Sequence, residues 1–268
     1  MPSNSENQQP GTQVLRRIGQ ILRFVAEHNR DGARLTDVAG ALELEPPTAH
    51  RLLRGLVSER MIQFDEGSKR YRLGPELYEL GLAAASRFDL IEFIAPSIQR
   101  LVEATGDSVV VTVRSGVEGV CVARRHGAFP IQTSVVRVGS RRPLSSGAGG
   151  LAIMSTLEEA KARSIAQANT GGERTRVATL LKRIREAQQL GYAVNEYRQP
   201  APGIVALGVP ICGTYGECIA GIAVVALGNR LSGKRRGEVV GLLKNEARLI
   251  QEELRAASSN VHNVEDDR

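Results

Sequence analysis

The stretch Leu35–Leu56, LTDVAGALELEPPTAHRLLRGL, decides the fold of the first part of this chain. Its apolar spacing predicts two short helices joined by a tight turn. Thr36 is a suitable cap for the first helix, because a side-chain hydroxyl can accept a hydrogen bond from the first turn. Pro46 and Pro47 suit the start of the second helix, where an amide proton has no helical partner. The stretch therefore predicts a helix-turn-helix.

The second helix has one apolar face and one polar face. Apolar residues recur at the three-and-four spacing of a buried stripe: Ala49, Leu52, Leu53, Leu56 and Val57. The opposite face carries Thr48, His50, Arg51 and Arg54. Side chains of these types bind phosphates and base edges, so this face is a candidate DNA-reading surface. The alternative is that Arg51 or Arg54 pairs with a nearby acid such as Glu59.

A β-hairpin is predicted directly after the helix pair. Residues 62–64 and 71–73 alternate as strands do, and Asp65–Ser68 between them has the composition of a turn. Lys69 and Arg70 lie near its tip. With the amphipathic segment at residues 14–28 as a further helix, the order of elements predicts a winged helix.

Composition narrows the class of protein without identifying it. The 268 residues are enough for two ordinary domains, and the net charge of +6 with a pI near 9.5 permits contact with a polyanion. The polar start MPSNSENQQPGTQ does not resemble a signal peptide, and no apolar run reaches the roughly 20 residues of a membrane span. We therefore expect a cytoplasmic protein that has no membrane partner.

No metal site or cofactor is predicted. Cys121, Cys212 and Cys218 do not have metal-ligand spacing, and small buried side chains are their simplest interpretation. Cys212 and Cys218 flank a turn and can face each other across a hairpin, which leaves a redox role open. Among the histidines, only His50 occupies a position with a functional argument.

The rest of the chain predicts a connecting helix and an α+β domain. Pro75 begins the helix, and helical and β-like segments then alternate without the regular spacing of a parallel sheet. We expect a single antiparallel sheet flanked by helices, with strands near 108–114, 119–124, 131–138, 192–197, 204–211 and 219–227. The predicted divisions are a disordered N-terminus 1–12, a winged helix-turn-helix 13–74, a linker and dimerisation helix 75–88, the α+β domain 89–257 and a disordered tail 258–268.

Taken together, residues 14–257 resemble the IclR family of bacterial transcriptional regulators. Four stretches in order carry the resemblance: PPTAHRLLRGL, YRLGPELYELG, RRPLSSGAGGLAIMS, and GYAVNEYRQPAPGIVALGVPI followed by IAGIAVVAL. It implies an N-terminal winged helix, a linker helix used in dimerisation and a C-terminal GAF-like domain that binds a small metabolite. Homodimers and homotetramers are both usual in the family.

The resemblance implies a role for residues of the first domain. The family's recognition helix matches residues 47–57, so its major-groove face is the polar face described above. Arg51 or Arg54 suits a bidentate contact with guanine, whereas Thr48, Lys69 and Arg70 would mostly position the DNA backbone.

It also implies an effector site in the second domain. Family pockets use the loop and helix start that match Ser145, Ser146, Gly147, Ala148 and Gly149 in this chain. Small residues leave room for a ligand, and the amides of a helix start favour an anion. The alternative is that these residues only make a tight turn and a close helix contact.

On the later strands, several family members place an acidic residue, a cysteine and two serines around the ligand. The matching residues here are Glu196, Ala206, Ala223 and Val225. Because a thiol and two hydroxyls are replaced, we expect fewer polar groups in the pocket. An effector with one acidic end and an apolar or aromatic body follows from this substitution pattern.

The predicted function is ligand-modulated binding to double-stranded operator DNA, by a homodimer or a dimer of dimers. An enzyme is disfavoured, since the sequence contains no nucleophile elbow or metal motif, and no histidine accompanies Ser145, Ser146 or Glu196. The alternative is an interaction module whose winged helix contacts a protein.

Overall fold

The computed structural model describes residues 12–85, 90–129, 136–197 and 203–265. The chain divides into two compact units, Met1–Phe88 and Asp89–Arg268. Of the predicted disordered ends 1–12 and 258–268, residues 1–11 and 266–268 lie outside the described residues. Among the described helices, none has both the length and the apolar character that a membrane span requires.

The first unit is a winged helix. Its elements are α1 (Thr12–Glu27), α2 (Leu35–Ala41), α3 (Pro46–Ser58), β1 (Ile62–Asp65), β2 (Arg70–Leu73) and α4 (Pro75–Ala85). The strands β1 and β2 pair antiparallel, and Ala33 adds an isolated bridge to Tyr71. One apolar core joins the three helices to the hairpin through side chains such as Ile21, Leu53 and Ile62. The predicted helix-turn-helix is confirmed.

The local start of α2 differs from the prediction. The helix begins at Leu35, one residue before the expected cap Thr36, and Arg34 is the capping residue. The carboxylate of Asp37 accepts the backbone N–H of Arg34 at 3.0 Å, because an acid three residues into the helix can reach back to the cap. The turn into α3 follows through Glu43, whose φ is 50°.

The second unit is a six-stranded antiparallel sheet with helices on both faces. Its elements are α5 (Leu90–Thr105), β3 (Ser108–Ser115), β4 (Glu118–Arg125), β5 (Arg141–Pro143), α6 (Ala148–Met154), α7 (Glu159–Thr170), α8 (Arg174–Leu190), β6 (Ala193–Tyr197), β7 (Ile204–Cys212), β8 (Cys218–Leu227) and α9 (Gly233–Glu265). The strand order is β5-β4-β3-β8-β7-β6, so β5 and β6 are the edges. The predicted fold class, an α+β domain with an antiparallel sheet, is confirmed.

Strand alternation divides the sheet into two differently covered faces. Val111, Leu207 and Val224 point into a large core with α5 and α9. The intervening positions, such as Ala206 and Ala223, form a smaller cluster with Ala148 of α6. A third cluster packs α6 against α7 and α8. The helix α6 is therefore enclosed, and its contact with the sheet is the place where a ligand site is expected.

Two predicted boundaries need correction. Of the predicted strand 131–138, residues 131–135 lie outside the described part and 136–138 are not β-structure. A turn through Gly139, at a φ of 82°, comes first, and the third strand is β5 beyond it. The last helix runs on to Glu265, into the segment 258–268 predicted as a disordered tail, because no proline or glycine follows to interrupt it.

Candidate functional site

The polar face of α3 is the first candidate site. His50, Arg51 and Arg54 are exposed, and Thr48 at the start of the helix is half-buried. The opposite face is anchored by Ala49, Leu53 and Leu56, all buried. The helix is thus held by its apolar stripe while three long polar side chains project into solvent.

The two arginines of this face have no protein partner among the residues that the structure describes. Neither Arg51 nor Arg54 makes an ion pair or hydrogen bond there, and Glu59 does not pair with them. By contrast, Arg60, which lies between α3 and β1, donates to Glu79 at 2.8 Å. Among the described residues, the geometry therefore does not support the alternative in which Glu59 pairs with Arg51 or Arg54.

The wing presents its two basic residues differently. Lys69 is exposed at the hairpin turn, with its ammonium 5.9 Å from the centre of the Phe64 ring. Arg70 is half-buried, and its Nη1 donates to the carbonyl of Gly32 at 2.7 Å. Its guanidinium therefore ties the hairpin to the segment between α1 and α2, and Lys69 is the more accessible cation of the wing.

An interior cavity of about 50 Å³ lies between α6 and the sheet. It brings together seven of the nine residues predicted for an effector site: Ser146, Gly147, Ala148, Gly149, Ala206, Ala223 and Val225. The strands β7 and β8 place Ala206 opposite Val225 in register, with both side chains on the α6 side. Residues from distant parts of the sequence therefore converge on one space between α6 and the sheet.

The other two predicted residues, Ser145 and Glu196, lie in a different place. Both line an open groove of about 720 Å³ beside the cavity. Glu196 is exposed, because successive residues of a strand point to opposite faces and its neighbour Tyr197 takes the cavity side. The backbone N–H of Ser145 donates to Asn169 Oδ1 at 3.0 Å, a contact that holds the loop.

Several cavity residues were missed in the sequence. Polar side chains from other elements line the cavity: Thr112, Cys121, Ser140, Arg142 and Tyr197. Polar groups therefore reach the cavity from elements that the resemblance did not point to, beside the apolar Ala206, Ala223 and Val225. A basic residue shortly before the Gly-rich loop was the available signal for Arg142.

The phenol of Tyr197 on the cavity wall has a shifted pKa. Burial raises its pKa, while the positive charge of Arg142 and a hydrogen bond with Asn195 act in the opposite direction. Asn195 is itself buried and fixed, since its amide donates to the carbonyl of Ser146 at 3.3 Å and accepts from Arg183 at 2.8 Å. The positive charge of Arg142 therefore acts on the phenol of Tyr197.

The Gly-rich loop also has a packing role. A Cβ on Gly150 would lie 1.9 Å from the carbonyl oxygen of Leu144, and one on Gly221 would lie 2.2 Å from that of Gly149. No side chain fits at such distances, so these glycines allow α6 to approach the sheet and its own loop. The close helix contact considered from the sequence is real. At seven residues, α6 is also only about two turns long, which makes its dipole a weak anchor for an anion.

The cysteines give no metal site in the described part of the chain, where no group of three or more potential ligands is placed to hold an ion. Cys212 and Cys218 stand opposite each other in the β7–β8 register, and both are free thiols. Burial raises the pKa of each thiol, which disfavours the reactive thiolate. The arrangement gives the redox alternative little chemical support.

Comparison with known proteins adds a family and several structural neighbours. The family model described as "Bacterial transcriptional regulator IclR C-terminal" matches residues 82–252, and "IclR helix-turn-helix domain" matches residues 14–66. The HTH-type transcriptional repressor AllR of Salmonella paratyphi A is 27% identical over 241 residues, covering 87% of each chain.

Two solved structures share the fold. An IclR transcriptional regulator from Alicyclobacillus acidocaldarius is 23% identical with a TM-score of 0.74, over 92% of this chain and 99% of that one. An IclR homologue from Microbacterium hydrocarbonoxydans, complexed with 4-hydroxybenzoate, is 20% identical with a TM-score of 0.72, over 91% and 99%. At these identities the two structures are evidence for the fold alone.

Proposed function

The chain belongs to the IclR family of bacterial transcriptional regulators, and we propose that it binds operator DNA through α3 and the wing under the control of a small organic acid held in the interior cavity. The single observation that carries the DNA role is the outer face of α3. There, Arg51 and Arg54 project from a rigidly packed helix and make no contact with a protein acid in the described chain. The name of the AllR relative favours repression as the regulatory outcome.

The proposed DNA contacts divide into base reading and backbone positioning. Arg51 and Arg54 read guanine, each bidentate contact being worth about 1–3 kcal/mol of discrimination. Thr48 at the helix start, His50 beside the arginines and Lys69 on the wing approach phosphates or base edges. Arg70 contributes mainly by holding the wing in place, since its guanidinium is bonded to Gly32.

A homodimer supplies the second DNA-binding helix, and pairs of dimers are an extension of the same proposal. Apolar side chains on α4 support this assembly: Tyr78 is 69% exposed, Leu80 50% and Leu82 55%. An apolar surface of this kind on a helix is typical of a protein interface. Two copies of α3 would then contact two half-sites of an operator.

The effector is proposed to be a small carboxylic acid. Arg142 gives the cavity a positive charge, and the short α6 adds a weaker attraction through its first amides. The remaining walls include Val110, Ala206 and Val225, which suit an apolar body. The complex of the Microbacterium homologue with 4-hydroxybenzoate supports an aromatic acid as one member of this class.

Control of DNA binding then follows from linkage. An acid that binds two arrangements of the dimer with different affinity shifts their populations, and the same coupling changes its own affinity when DNA is bound. This role is regulatory and not enzymatic, in keeping with the names of the relatives. A regulator of operators also works in the cytoplasm, which is the compartment expected from the sequence.

The test is fluorescence anisotropy of the purified protein with labelled DNA from upstream of its own gene, at several salt concentrations. Unrelated DNA of equal length is the control. Specific binding that weakens steeply with salt is the expected result, because several phosphate contacts release counterions. Equal, weak binding to both DNAs would instead favour the second candidate, a winged helix that contacts a protein.

A further inference from the structure

The helix α8 carries a strong positive charge. Its 17 residues include a single acid, Glu186, and five cations: Arg174, Arg176, Lys182, Arg183 and Arg185. Arg176 pairs with Glu173, Lys182 lies 3.8 Å from Glu186, and Arg183 donates to Asn195. The other two, Arg174 and Arg185, make no ion pair or hydrogen bond within the described residues.

An open groove of about 410 Å³ between α7 and α8 contains both of these arginines. Its floor is apolar, since Val177 and Leu181 lie at the bottom. Arg163 also lines the groove, but Glu159 pairs with it at 3.2 Å. The groove therefore offers an apolar floor and two exposed positive charges, which complement a segment that carries both apolar side chains and acids.

A nucleic acid fits this groove less well than a protein segment does. Sites that bind nucleic-acid strands usually add aromatic rings on which bases stack. Among the described residues that line the groove, none is aromatic. The apolar floor would also face a polar sugar-phosphate backbone, so the favoured partner is an acidic polypeptide.

The end of α9 has the complementary sequence. Residues 261–267, VHNVEDD, contain two valines three positions apart, the spacing of neighbours on one helix face, followed by the only run of three acids in the sequence. Leu254 is the last described residue of α9 that packs against the core of the sheet, yet the helix continues to Glu265. Because isolated helices shorter than about 12–15 residues are marginal in water, this end gains stability from a partner.

The end of α9 leads away from the groove of its own chain. Lys244 of α9 donates to the carbonyl of Leu190, the last residue of α8, and Gln251 donates to that of Gly213, just after β7 ends. From there α9 runs on past the sheet. Arg174 begins α8, roughly 24 Å back along that helix from its end, so the groove of a second copy is the accessible one.

We propose that the end of α9, residues 255–267, docks in the α7–α8 groove of a second copy of this chain, where the acids at 265–267 pair with Arg174 and Arg185. The inference goes beyond the proposed function, because neither DNA nor the effector takes part. In a two-fold arrangement each copy gives its end to the other, so two equivalent contacts form together. This contact joins the second units and is separate from the apolar surface of α4.

The first test is fluorescence anisotropy of a labelled peptide, residues 252–268, with the full-length protein. The host protein carries Glu265→Lys, Asp266→Lys and Asp267→Lys, so its own ends do not compete for the groove. The peptide should bind this host, and adding Arg174→Glu and Arg185→Glu should weaken binding at least about tenfold, because like charges then meet. Failure of the peptide to bind the host would overturn the proposal.

Exchanging the charges tests the pairing directly. A peptide with the same three lysine substitutions should bind the protein in which only Arg174→Glu and Arg185→Glu are made, since the opposite charges are restored with reversed sign. No binding in this folded protein would overturn the assigned pairing. Circular dichroism checks the fold, which should be retained because both arginines are exposed.

The matched control is Lys161→Glu with Lys182→Glu in the same host. It makes the same change in charge on the two helices that form the groove, and neither lysine lines the groove. Peptide affinity should stay as in the host, and a loss equal to that of the arginine pair would overturn the site. A scrambled peptide that binds equally well would assign the groove to acidic segments in general and overturn the choice of the α9 end.

Dilution tests whether the contact joins two copies. In sedimentation velocity without DNA, the dissociation constant of the assembly should be at least about tenfold higher for the host than for the wild type. An unchanged constant, with the peptide still bound, would show that the end of α9 folds back on its own chain and would overturn docking on a second copy. Operator binding is decided separately by the anisotropy assay with DNA.

Discussion

Arg142 and Tyr197 lie on opposite edge strands of one six-stranded sheet, yet both line the same interior cavity. Arg142 belongs to β5 and Tyr197 closes β6, and the positive charge of Arg142 opposes the rise in pKa that burial imposes on the phenol. The helix α6 packs on β7 and β8, which lie between these two edge strands. The cavity therefore depends on how closely α6 approaches the sheet.

That approach predicts the effect of Gly221→Ala. A Cβ at this position would lie 2.2 Å from the carbonyl oxygen of Gly149, and backbone atoms cannot move aside as a flexible side chain can. We expect the free energy of unfolding to fall by about 1–3 kcal/mol, the usual cost of overpacking a core. Urea denaturation followed by circular dichroism measures the change.

The control for that variant is Gly147→Ala. Its Cβ would lie 3.4 Å from Tyr197 Oη, an ordinary contact with the end of a side chain. The free energy of unfolding should therefore change by no more than about 0.5 kcal/mol. Equal losses in the two variants would show that close approach of α6 is not the reason for glycine at position 221.

Much of the fold could be predicted from local pattern. The two prolines and the apolar spacing of α3 mark a helix start and a buried stripe, and the long apolar runs of β7 and β8 mark strands in the middle of a sheet. The strand β5 could not be found in this way. It has only three residues, Arg141–Pro143, and pairing with β4 rather than its own composition makes it a strand.

Strand alternation made part of the candidate site predictable as well. Ala206, Ala223 and Val225 follow from the alternation of long paired strands, which fixes the face that each side chain takes. On β6 the same alternation explains the error. The resemblance pointed to Glu196, but its side chain takes the opposite face, and the next residue, Tyr197, lines the cavity. Arg142 reaches the cavity through the pairing of the edge strand β5, and its position shortly before the Gly-rich loop is the local signal that points to it.

A second stability prediction concerns Asp107, which is buried beside two arginines. Its Oδ1 accepts from Arg230 Nε at 2.7 Å and its Oδ2 from Arg235 Nη2 at 3.0 Å. Asp107→Ala would leave two partly buried positive charges without this acid. We expect a loss of about 3–5 kcal/mol in the free energy of unfolding, measured with urea.

The exposed pair Glu159–Arg163 on α7 is the comparison for Asp107. Both side chains are more than half exposed, and water screens their attraction. Glu159→Ala should change stability by no more than about 0.5 kcal/mol. A loss at Asp107 as small as this one would mean that the two arginines find other partners easily.

The DNA-binding proposal predicts a specific loss for Arg51→Ala. An exposed side chain without a partner in the described chain contributes little to folding, so the melting temperature should stay unchanged. Operator affinity should fall by roughly tenfold or more, as expected when a bidentate base contact worth about 1–3 kcal/mol is removed. Anisotropy with the upstream DNA measures the affinity.

Arg163→Ala removes the same charge from α7 in the other unit and is the matched control. Its operator affinity should remain close to that of the wild type. Equal losses in the Arg51 and Arg163 variants would mean that only net charge matters. In that case α3 would not be reading bases.

The last prediction concerns alkaline pH and the thiol of Cys121, which lines the cavity. Burial raises its pKa above the ordinary value of 9.0, so the unfolded chain releases this proton first as the pH rises. The native state is therefore stabilised fully below the pKa of the unfolded thiol, and this contribution is lost as the pH rises toward the higher pKa of the folded state. In Cys121→Ala the thiol is absent, so the difference in unfolding free energy between wild type and variant should shrink from pH 7.5 to pH 9.5.

The control is Val110→Ala, which shortens another side chain of the cavity wall without removing a titratable group. Its loss of unfolding free energy should be equal at both pH values. A pH-independent cost for Cys121→Ala in urea denaturation would show that the thiol acts only by filling space.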